Sequence, residues 1–212
     1  MIISRTPLRI SFLGGGSDYP QYYLNHPTGG AVLGASINKY CYVMLHAGNS
    51  WFTYDLPNKS GLASSTAYTV GLLRACSNFD NVTISKLADT WETDKTNGQV
   101  GSQDPFLCAV GGCHHLKFSE HGIRDIPIAP ALIKPLEKWL MLFDSHQYRR
   151  NIATIPAQLK EMDAHEDLYE RIAGMADQGI QLLTVKDYLG FGKLLHEAWG
   201  AKRQLARTIS TP

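Results

Sequence analysis

The residues best suited to chemistry form a segment in which a glycine turn leads into hydroxyl side chains. The segment consists of Ser60, Gly61, Leu62, Ala63, Ser64, Ser65 and Thr66. The turn lets backbone N–H groups approach a ligand, and the start of the following helix offers N–H groups and a positive dipole end that suit a polyphosphate. The hydroxyls of Ser65 and Thr66 suit Mg²⁺ or phosphate oxygens. No Gly-Lys-Ser/Thr follows, so it is not a Walker A loop. The alternative is that the serines only cap the helix.

A second glycine turn lies near the N-terminus. It consists of Gly14, Gly15, Gly16, Ser17 and Asp18. The glycines expose backbone amides, and the Asp18 carboxylate can accept two hydrogen bonds from sugar hydroxyls. The segment lacks the G-x-G-x-x-G spacing of dinucleotide-binding turns. A tight turn without any ligand is the alternative.

The third segment is a polar loop that leads into a helix and contains Gln103 and Asp104. Asp104 is a candidate base for a substrate hydroxyl, with Arg9 nearby to keep it ionised, and Gln103 is a candidate substrate contact. An ordinary helix N-cap is the alternative role for Asp104. Glu92, on the preceding helix, could complete a Mg²⁺ site with Ser65, because Mg²⁺ takes a few protein oxygens together with phosphates.

The pattern of apolar residues predicts the elements that position these segments. Strands are predicted at 8–13, 31–45, 51–56, 113–118 and 136–144, and helices at 64–75, 84–94, 105–110 and through most of 155–209, with a break near 183–187. In the last helices, Tyr169, Tyr188, Phe191 and Trp199 are predicted to be core residues. Strands mixed with helices, followed by helices, indicate an α+β fold.

Composition excludes several classes of protein. The chain has 20 basic and 19 acidic residues, a formal net charge of +1, so no charge excess recruits nucleic acid or an acidic membrane surface. No apolar run is long enough to cross a bilayer, and the N-terminus lacks the apolar core of a signal peptide, so we expect a cytoplasmic protein. The four cysteines are predicted to be small buried residues.

Cys108, Cys113, His114 and His115 have no known zinc-ligand spacing. Strand alternation predicts that the two histidines point to opposite faces of the sheet.

The three segments, in this order, resemble the GHMP kinases, and within them the D-glycero-D-manno-heptose 7-phosphate kinase group. The likeness rests on Pro-Leu-Arg-Ile-Ser-Phe-Leu-Gly-Gly-Gly-Ser-Asp at 7–18, Ser-Gly-Leu-Ala-Ser-Ser-Thr-Ala at 60–67 and Gly-Ser-Gln-Asp at 101–104, with support from 191–199 and 202–212. The resemblance implies a two-domain fold. Its parts would be a ribosomal protein S5 domain 2-like, ATP-binding domain at 1–130 and a ferredoxin-like domain at 131–212, mostly helical here and incomplete.

The resemblance also implies a role for individual residues. Ser65 and Glu92 match the Mg²⁺ ligands, Asp104 the catalytic base and Arg9 the arginine beside it. Asp18 and the preceding glycines match the sugar-contacting turn. Arg149 and Lys202 are candidates for the phosphate of the substrate. The implied cofactors are ATP and Mg²⁺, the implied partner is a small sugar phosphate, and a monomer or homodimer is expected.

The implied reaction is phosphorylation of the anomeric hydroxyl of D-glycero-D-manno-heptose 7-phosphate. The alternatives are a kinase for a fucose- or galactose-like sugar and a non-catalytic nucleotide- or sugar-binding relative.

Two departures from the family pattern lead to further expectations. Ala63 stands where the family loop usually has its middle glycine, which predicts an α- or β-region backbone at this position. The sequence ends before the position of the family's third, glycine-rich motif, and the stretch between His46 and Trp51 is shorter than in relatives. We therefore expect that segments of the relatives are absent from this sequence.

Overall fold

The computed structural model describes residues 1–58, 60–143, 154–206 and 209, and within this part the strands form one antiparallel sheet. The five strands are β1 (Ile2–Leu13), β2 (Gly30–His46), β3 (Asn49–Tyr54), β4 (Cys113–Ser119) and β5 (Gly122–Pro127). β2 pairs with β1 along one side, while its other side pairs first with β4 and then with β3. The long strand β2 is therefore the central strand of the sheet, paired with three other strands.

Helices cover this sheet on both faces and make up most of the second half of the chain. They are α1 (Pro20–Tyr23), α2 (Ser64–Cys76), α3 (Asn81–Thr96), α4 (Gln103–Val110), α5 (Pro130–Ile133), α6 (Thr154–Lys160), α7 (Glu166–Thr184) and α8 (Tyr188–Leu205), with 3₁₀ turns at Lys134–Lys138 and Asp163–His165. No helix in the described ranges is both long and apolar enough to cross a membrane. The α+β fold class is confirmed.

Neighbouring residues of β2 face different helices. Val32 packs in a cluster with Phe106 and Leu107 of α4, whereas Leu33 packs in a cluster with Ile172 of α7. Both β2 residues are fully buried, because consecutive side chains of a strand point to opposite faces and both faces are covered here. The same alternation places His114 beside Asp125 and His115 beside Asp177, on opposite faces as predicted.

The cluster that contains Leu33 also contains Leu13 of β1 and Phe191 of α8. The N-terminal strands and the C-terminal helices therefore share one apolar core. The predicted division into domains at residue 130 stays a prediction.

Three expectations about elements and burial were wrong. The predicted strand at 136–144 is a 3₁₀ turn at Lys134–Lys138 followed by irregular chain to residue 143, because no described strand lies beside it to pair with its backbone. Asp144 lies outside the described residues. Trp199 is half exposed, although Tyr169 and Phe191 are fully buried as predicted. Cys76 is exposed, whereas the other three cysteines are buried.

The short stretch between His46 and Trp51 forms a complete connection in this structure. Ala47 and Gly48, with φ of 48° and 78°, join β2 directly to β3. Two residues with positive φ are typical of the tight turns that match the twist of a hairpin.

The backbone prediction at Ala63 was also wrong. This residue immediately precedes α2 and has φ of 59° and ψ of 36°, in the left-handed region. The left-handed conformation brings Cβ of an L-residue close to the following carbonyl oxygen and costs about 1–2 kcal/mol. The chain therefore keeps the backbone shape that a glycine would adopt freely, with an alanine in it.

We expect Ala63→Gly to keep or raise the free energy of unfolding, by up to about 1 kcal/mol. Relief of the left-handed strain outweighs the extra freedom that glycine gives the unfolded chain, a cost of about 0.4–1 kcal/mol. Urea unfolding monitored by circular dichroism measures the change.

The matched control for this prediction is Ala67→Gly, at a fully buried position inside α2. It should lose about 1 kcal/mol or more, because glycine is a poor helix former. Equal losses in both variants would contradict the strain at Ala63.

Candidate active site

The side chains of Arg9 and Asp104 form a bidentate ion pair between β1 and the first turn of α4. Arg9 Nε donates to Asp104 Oδ1 and Nη2 donates to Oδ2, both over 2.7 Å. The two side chains are 13% and 19% exposed, so the pair is largely shielded from water. Asp104 does not cap its helix as the alternative interpretation required, since residue 102 is the N-cap and the carboxylate is held by Arg9.

Arg9 also fixes the loop before α2. Its Nη1 donates to the carbonyl oxygen of Gly61 over 3.0 Å, and its backbone N–H donates to the carbonyl of Leu62 over 3.2 Å. Burial by itself lowers the pKa of Arg9, but the charge and hydrogen bonds of Asp104, with smaller contributions from neighbouring groups, together raise the pKa above its usual value. The guanidinium is therefore a fixed positive charge that links three segments.

Two cavities meet at this ion pair. The first, which we call the loop cavity, has a volume of about 490 Å³ and is lined by Ser64, Ser65, Thr66 and Glu92. The second, the turn cavity, has a volume of about 300 Å³ and is lined by Gly16, Asp18, Gln103 and Lys202. Five residues line both cavities: Arg9, Gly61, Val100, Asp104 and Ile155. Molecules bound in the two cavities would therefore meet beside the Asp104 carboxylate.

The loop cavity contains a helix start without a side-chain cap. The N-cap position of α2 is Ala63, which has no polar side chain, and the N–H of Ala67 donates to the carbonyl oxygen of Ala63. The serines do not cap the helix either: Ser64 Oγ donates to Asn58 Oδ1 over 2.8 Å. The first residues of the helix, Ser64, Ser65 and Thr66, line the cavity, which is where an anion site at a helix start would lie.

Residues on β3 and in the turn after it support this helix start. Tyr54 Oη donates to the carbonyl of Ser64 over 3.1 Å, and Asn58 holds the Ser64 hydroxyl. The rings of Phe52 and Tyr68 lie 4.8 Å apart in the wall of the same cavity. Sequence reasoning missed these residues. The alternation of Phe52 and Tyr54 along a strand was the available signal that both rings face α2.

Glu92 lies on α3, is 5% exposed and lines the loop cavity. Its Oε1 accepts a hydrogen bond of 2.8 Å from Thr69 Oγ1. A cluster of three or more acidic, histidine or cysteine side chains that could hold a metal is not found within the described ranges. A cation here would therefore use the Ser65 hydroxyl and the Glu92 carboxylate together with oxygens of a ligand, a donor set that suits Mg²⁺.

Asp18 is built deeply into the wall of the turn cavity, with 1% exposure. Its carboxylate accepts hydrogen bonds from the N–H of Gly16 and from both the backbone N–H and Nε2 of Gln103. Burial raises the pKa of Asp18, and the charge of Asp104 acts in the same direction, whereas the Gly16 N–H and the Lys202 ammonium lower it. Gln103 Oε1 has no hydrogen-bond partner among the described residues.

The remaining residues of the glycine turn hold its shape or approach Lys202. Ser17 is fully buried, and its hydroxyl donates within the turn to the carbonyl oxygens of Gly14 and Ala31, so it does not line the cavity. A Cβ added to Gly14 would lie 1.9 Å from the carbonyl oxygen of Ala31, which leaves room only for glycine. A Cβ added to Gly15 would lie 3.3 Å from Lys202 Nζ, which shows that α8 brings this ammonium to the turn.

The structure thus places most of the predicted residues around the Arg9–Asp104 pair. Leu62, predicted for the nucleotide, lines the turn cavity instead, and Gly14, Gly15 and Ser17 line neither cavity. Arg149 lies outside the described residues, and Ser60 precedes the loop without lining either cavity. Val100 and Ile155, which line both cavities, carried no chemical signal in the sequence. Another cavity, of about 520 Å³, lies between the 3₁₀ turn after α5 and the start of α8, and none of the predicted site residues lines it.

Residues 35–112 match the model of the GHMP kinases N terminal domain. A search of curated proteins finds no match.

Among solved structures, a D-glycero-D-manno-heptose 1-phosphate kinase from Bacteroides thetaiotaomicron aligns with a TM-score of 0.75 at 20% identity, over 96% of this chain and 80% of the other. The mevalonate kinase of Methanococcus jannaschii aligns with a TM-score of 0.65 at 14% identity, over 100% and 80%. The galactokinase of Lactococcus lactis aligns with a TM-score of 0.59 at 13% identity, over 92% and 74%. The chain therefore has the fold of these kinases, and its residues 35–112 match the GHMP kinases N terminal domain.

Proposed function

We propose that this chain transfers the γ-phosphoryl group of ATP to a sugar hydroxyl, with D-glycero-D-manno-heptose 7-phosphate as the acceptor and the 1,7-bisphosphate as the product. The observation that carries the proposal is the position of Asp104 and Arg9 on the wall shared by two cavities. One cavity has the groups that suit a polyphosphate, and the other has the groups that suit a polyhydroxyl compound. Phosphoryl transfer depends mainly on bringing two such molecules together in line.

In this proposal the nucleotide occupies the loop cavity. The N–H groups at the start of α2 and the hydroxyls of Ser65 and Thr66 contact the phosphates, and the helix dipole favours their negative charge. Ser65 and Glu92 would hold Mg²⁺, which neutralises charge on the phosphates when it is bound. The partly exposed ring of Phe52, near Tyr68, offers an apolar surface for the remainder of the nucleotide.

The acceptor occupies the turn cavity. Asp18 and Gln103 Oε1 are hydrogen-bond acceptors, which favour an acceptor molecule rich in hydroxyl donors. Lys202 supplies a positive charge near Gly15 that suits a phosphate on that molecule. A sugar phosphate carries both features. The structural similarity to a heptose 1-phosphate kinase from Bacteroides thetaiotaomicron supports the same class of acceptor.

The reaction then follows from the geometry of the ion pair. Each oxygen of the Asp104 carboxylate accepts one hydrogen bond from Arg9, which leaves a lone pair on each for the acceptor hydroxyl. The hydroxyl oxygen forms a bond to the γ-phosphorus, the bond from that phosphorus to the β–γ bridging oxygen breaks, and the hydroxyl proton passes to Asp104. Arg9 keeps the carboxylate oriented until the transfer.

The first prediction concerns the acceptor. With ATP and Mg²⁺, we expect heptose 7-phosphate to give the highest kcat/KM in a panel that also contains heptose 1-phosphate, unphosphorylated heptose, galactose, fucose and mevalonate. ADP release gives the rate, and phosphorus NMR locates the new phosphate. Preference for heptose 1-phosphate or for a free sugar would overturn the choice of acceptor. Nucleotide binding without turnover on any acceptor would overturn the kinase activity in favour of a binding protein.

The second prediction concerns the base. Asp104→Asn should lower kcat by about 100-fold or more while ATP binding stays close to that of the wild type, because Asp104 acts on the acceptor proton. The matched control is Asp125→Asn, which removes a carboxylate that contacts His114 outside both cavities and should retain turnover. Weakened ATP binding with a normal rate in Asp104→Asn would contradict the proposed role.

The third prediction concerns pH. Both oxygens of Asp18 are hydrogen-bond acceptors only when the carboxyl group is ionised, and its pKa is raised above the ordinary value of 3.8. As the pH falls through this raised pKa, Asp18 takes up a proton and one oxygen becomes a donor, so the KM for the acceptor should rise at a pH above the usual aspartate range. The KM for ATP, measured over the same range, should not show this rise. An acceptor KM that stays constant down to pH 4 would contradict the assignment.

A further inference from the structure

Thr69 lies one helical turn beyond Ser65 on α2 and faces the same side of the helix. It is 5% exposed. Its hydroxyl has a single proton and two nearby acceptors: Glu92 Oε1 at 2.8 Å and the carbonyl oxygen of Ser65 at 3.4 Å. The shorter distance directs the proton to Glu92. Thr69 therefore contacts both candidate metal-binding residues, Ser65 at its backbone carbonyl oxygen and Glu92 at its carboxylate.

The environment of Glu92 makes this hydrogen bond important. Glu92 is buried, with 5% exposure. No lysine, arginine or histidine among the described residues forms an ion pair with it. A buried carboxylate needs hydrogen bonds or a cation to compensate for the loss of water. In the described part of the chain, Thr69 is the side chain that donates to it.

We propose that Thr69 is a positioning residue for the cation of the loop cavity. Its hydroxyl holds Glu92 Oε1 and so fixes the orientation of the carboxylate, which lines the same cavity as Ser65. This inference rests on the proposed function, because it requires that Ser65 and Glu92 bind a metal–nucleotide complex. Partners that orient a metal ligand in this way contribute about 10- to 100-fold to metal affinity in other proteins.

The test uses Mn²⁺ as a spectroscopic probe together with ADP. Electron paramagnetic resonance measures the fraction of bound Mn²⁺, which is independent of turnover. Thr69→Val has nearly the same shape but no hydroxyl, and we expect it to bind Mn²⁺ about 10-fold more weakly than the wild type. Thr69→Ser restores the hydroxyl and should restore the affinity. A role in packing alone would not predict this pattern.

Thr6→Val is the matched control. Thr6 is also a buried threonine that faces α2, but its hydroxyl has no hydrogen-bond partner among the described residues. The same substitution should leave Mn²⁺ affinity unchanged there. Loss of affinity in Thr6→Val equal to that in Thr69→Val would overturn the specific role of Thr69.

A double-mutant cycle tests whether Thr69 affects Mn²⁺ binding through Glu92 or independently of it. Glu92→Gln removes the charge, and addition of Thr69→Val to it should weaken Mn²⁺ binding no further, because Thr69 acts through Glu92. Mn²⁺ affinity of the wild-type level in Thr69→Val would overturn the inference. If Thr69→Val does not fold, Thr69→Ala is measured in its place with the same two outcomes. Failure of the wild type itself to bind Mn²⁺ and ADP would overturn the proposed nucleotide site, and the role of Thr69 with it.

Discussion

Arg9 and Asp104 lie 95 positions apart in the sequence, and the ion pair between them holds the segments of the candidate site together. The same guanidinium holds the carbonyl of Gly61, so β1, the loop before α2 and the start of α4 are fixed relative to one another by one side chain. A lysine has no planar fork with which to make these contacts at once. Because the pair is largely buried, loss of either partner would leave an uncompensated charge, and the site depends on both being present.

Sequence reasoning predicted the charged and hydroxyl-bearing residues around the two cavities, because these side chains suit phosphates, sugar hydroxyls and Mg²⁺. Asp18, Asp104 and Lys202 reach the turn cavity, and Ser65 and Glu92 reach the loop cavity. It could not find the residues that work through shape or through a neighbour. Ile155 is an ordinary aliphatic residue, and Tyr54 acts through a backbone carbonyl that only the folded chain brings near it. The left-handed backbone at Ala63 was predicted wrongly because an alanine alone avoids that region, whereas the surrounding contacts impose it.

The helices and strands were predictable where apolar residues recur regularly along the chain and the element that packs against them is nearby in sequence. The helices after residue 154 and their break before Tyr188 follow the apolar pattern, and so do the strands of the N-terminal part. The run at 136–144 has the composition of a strand, but strand formation needs a neighbouring strand, and composition carries no information about that neighbour. Trp199 lies on a helix whose buried side was predicted correctly only in part, because contacts with other elements decide which face is covered.

The shared core between the N-terminal strands and the C-terminal helices has a consequence for cooperativity. Leu13 and Leu33 are buried in the same cluster as Ile172 and Phe191, so each half completes the burial of apolar residues of the other. Such an arrangement couples the two halves into one unit of unfolding, in which opening of α7 and α8 also loosens the strand that carries Arg9. Amide exchange in β1 and in α7 should accordingly report the same free energy of opening. The rigidity of the Arg9–Asp104 ion pair then depends on α7 and α8, which contribute neither of its residues.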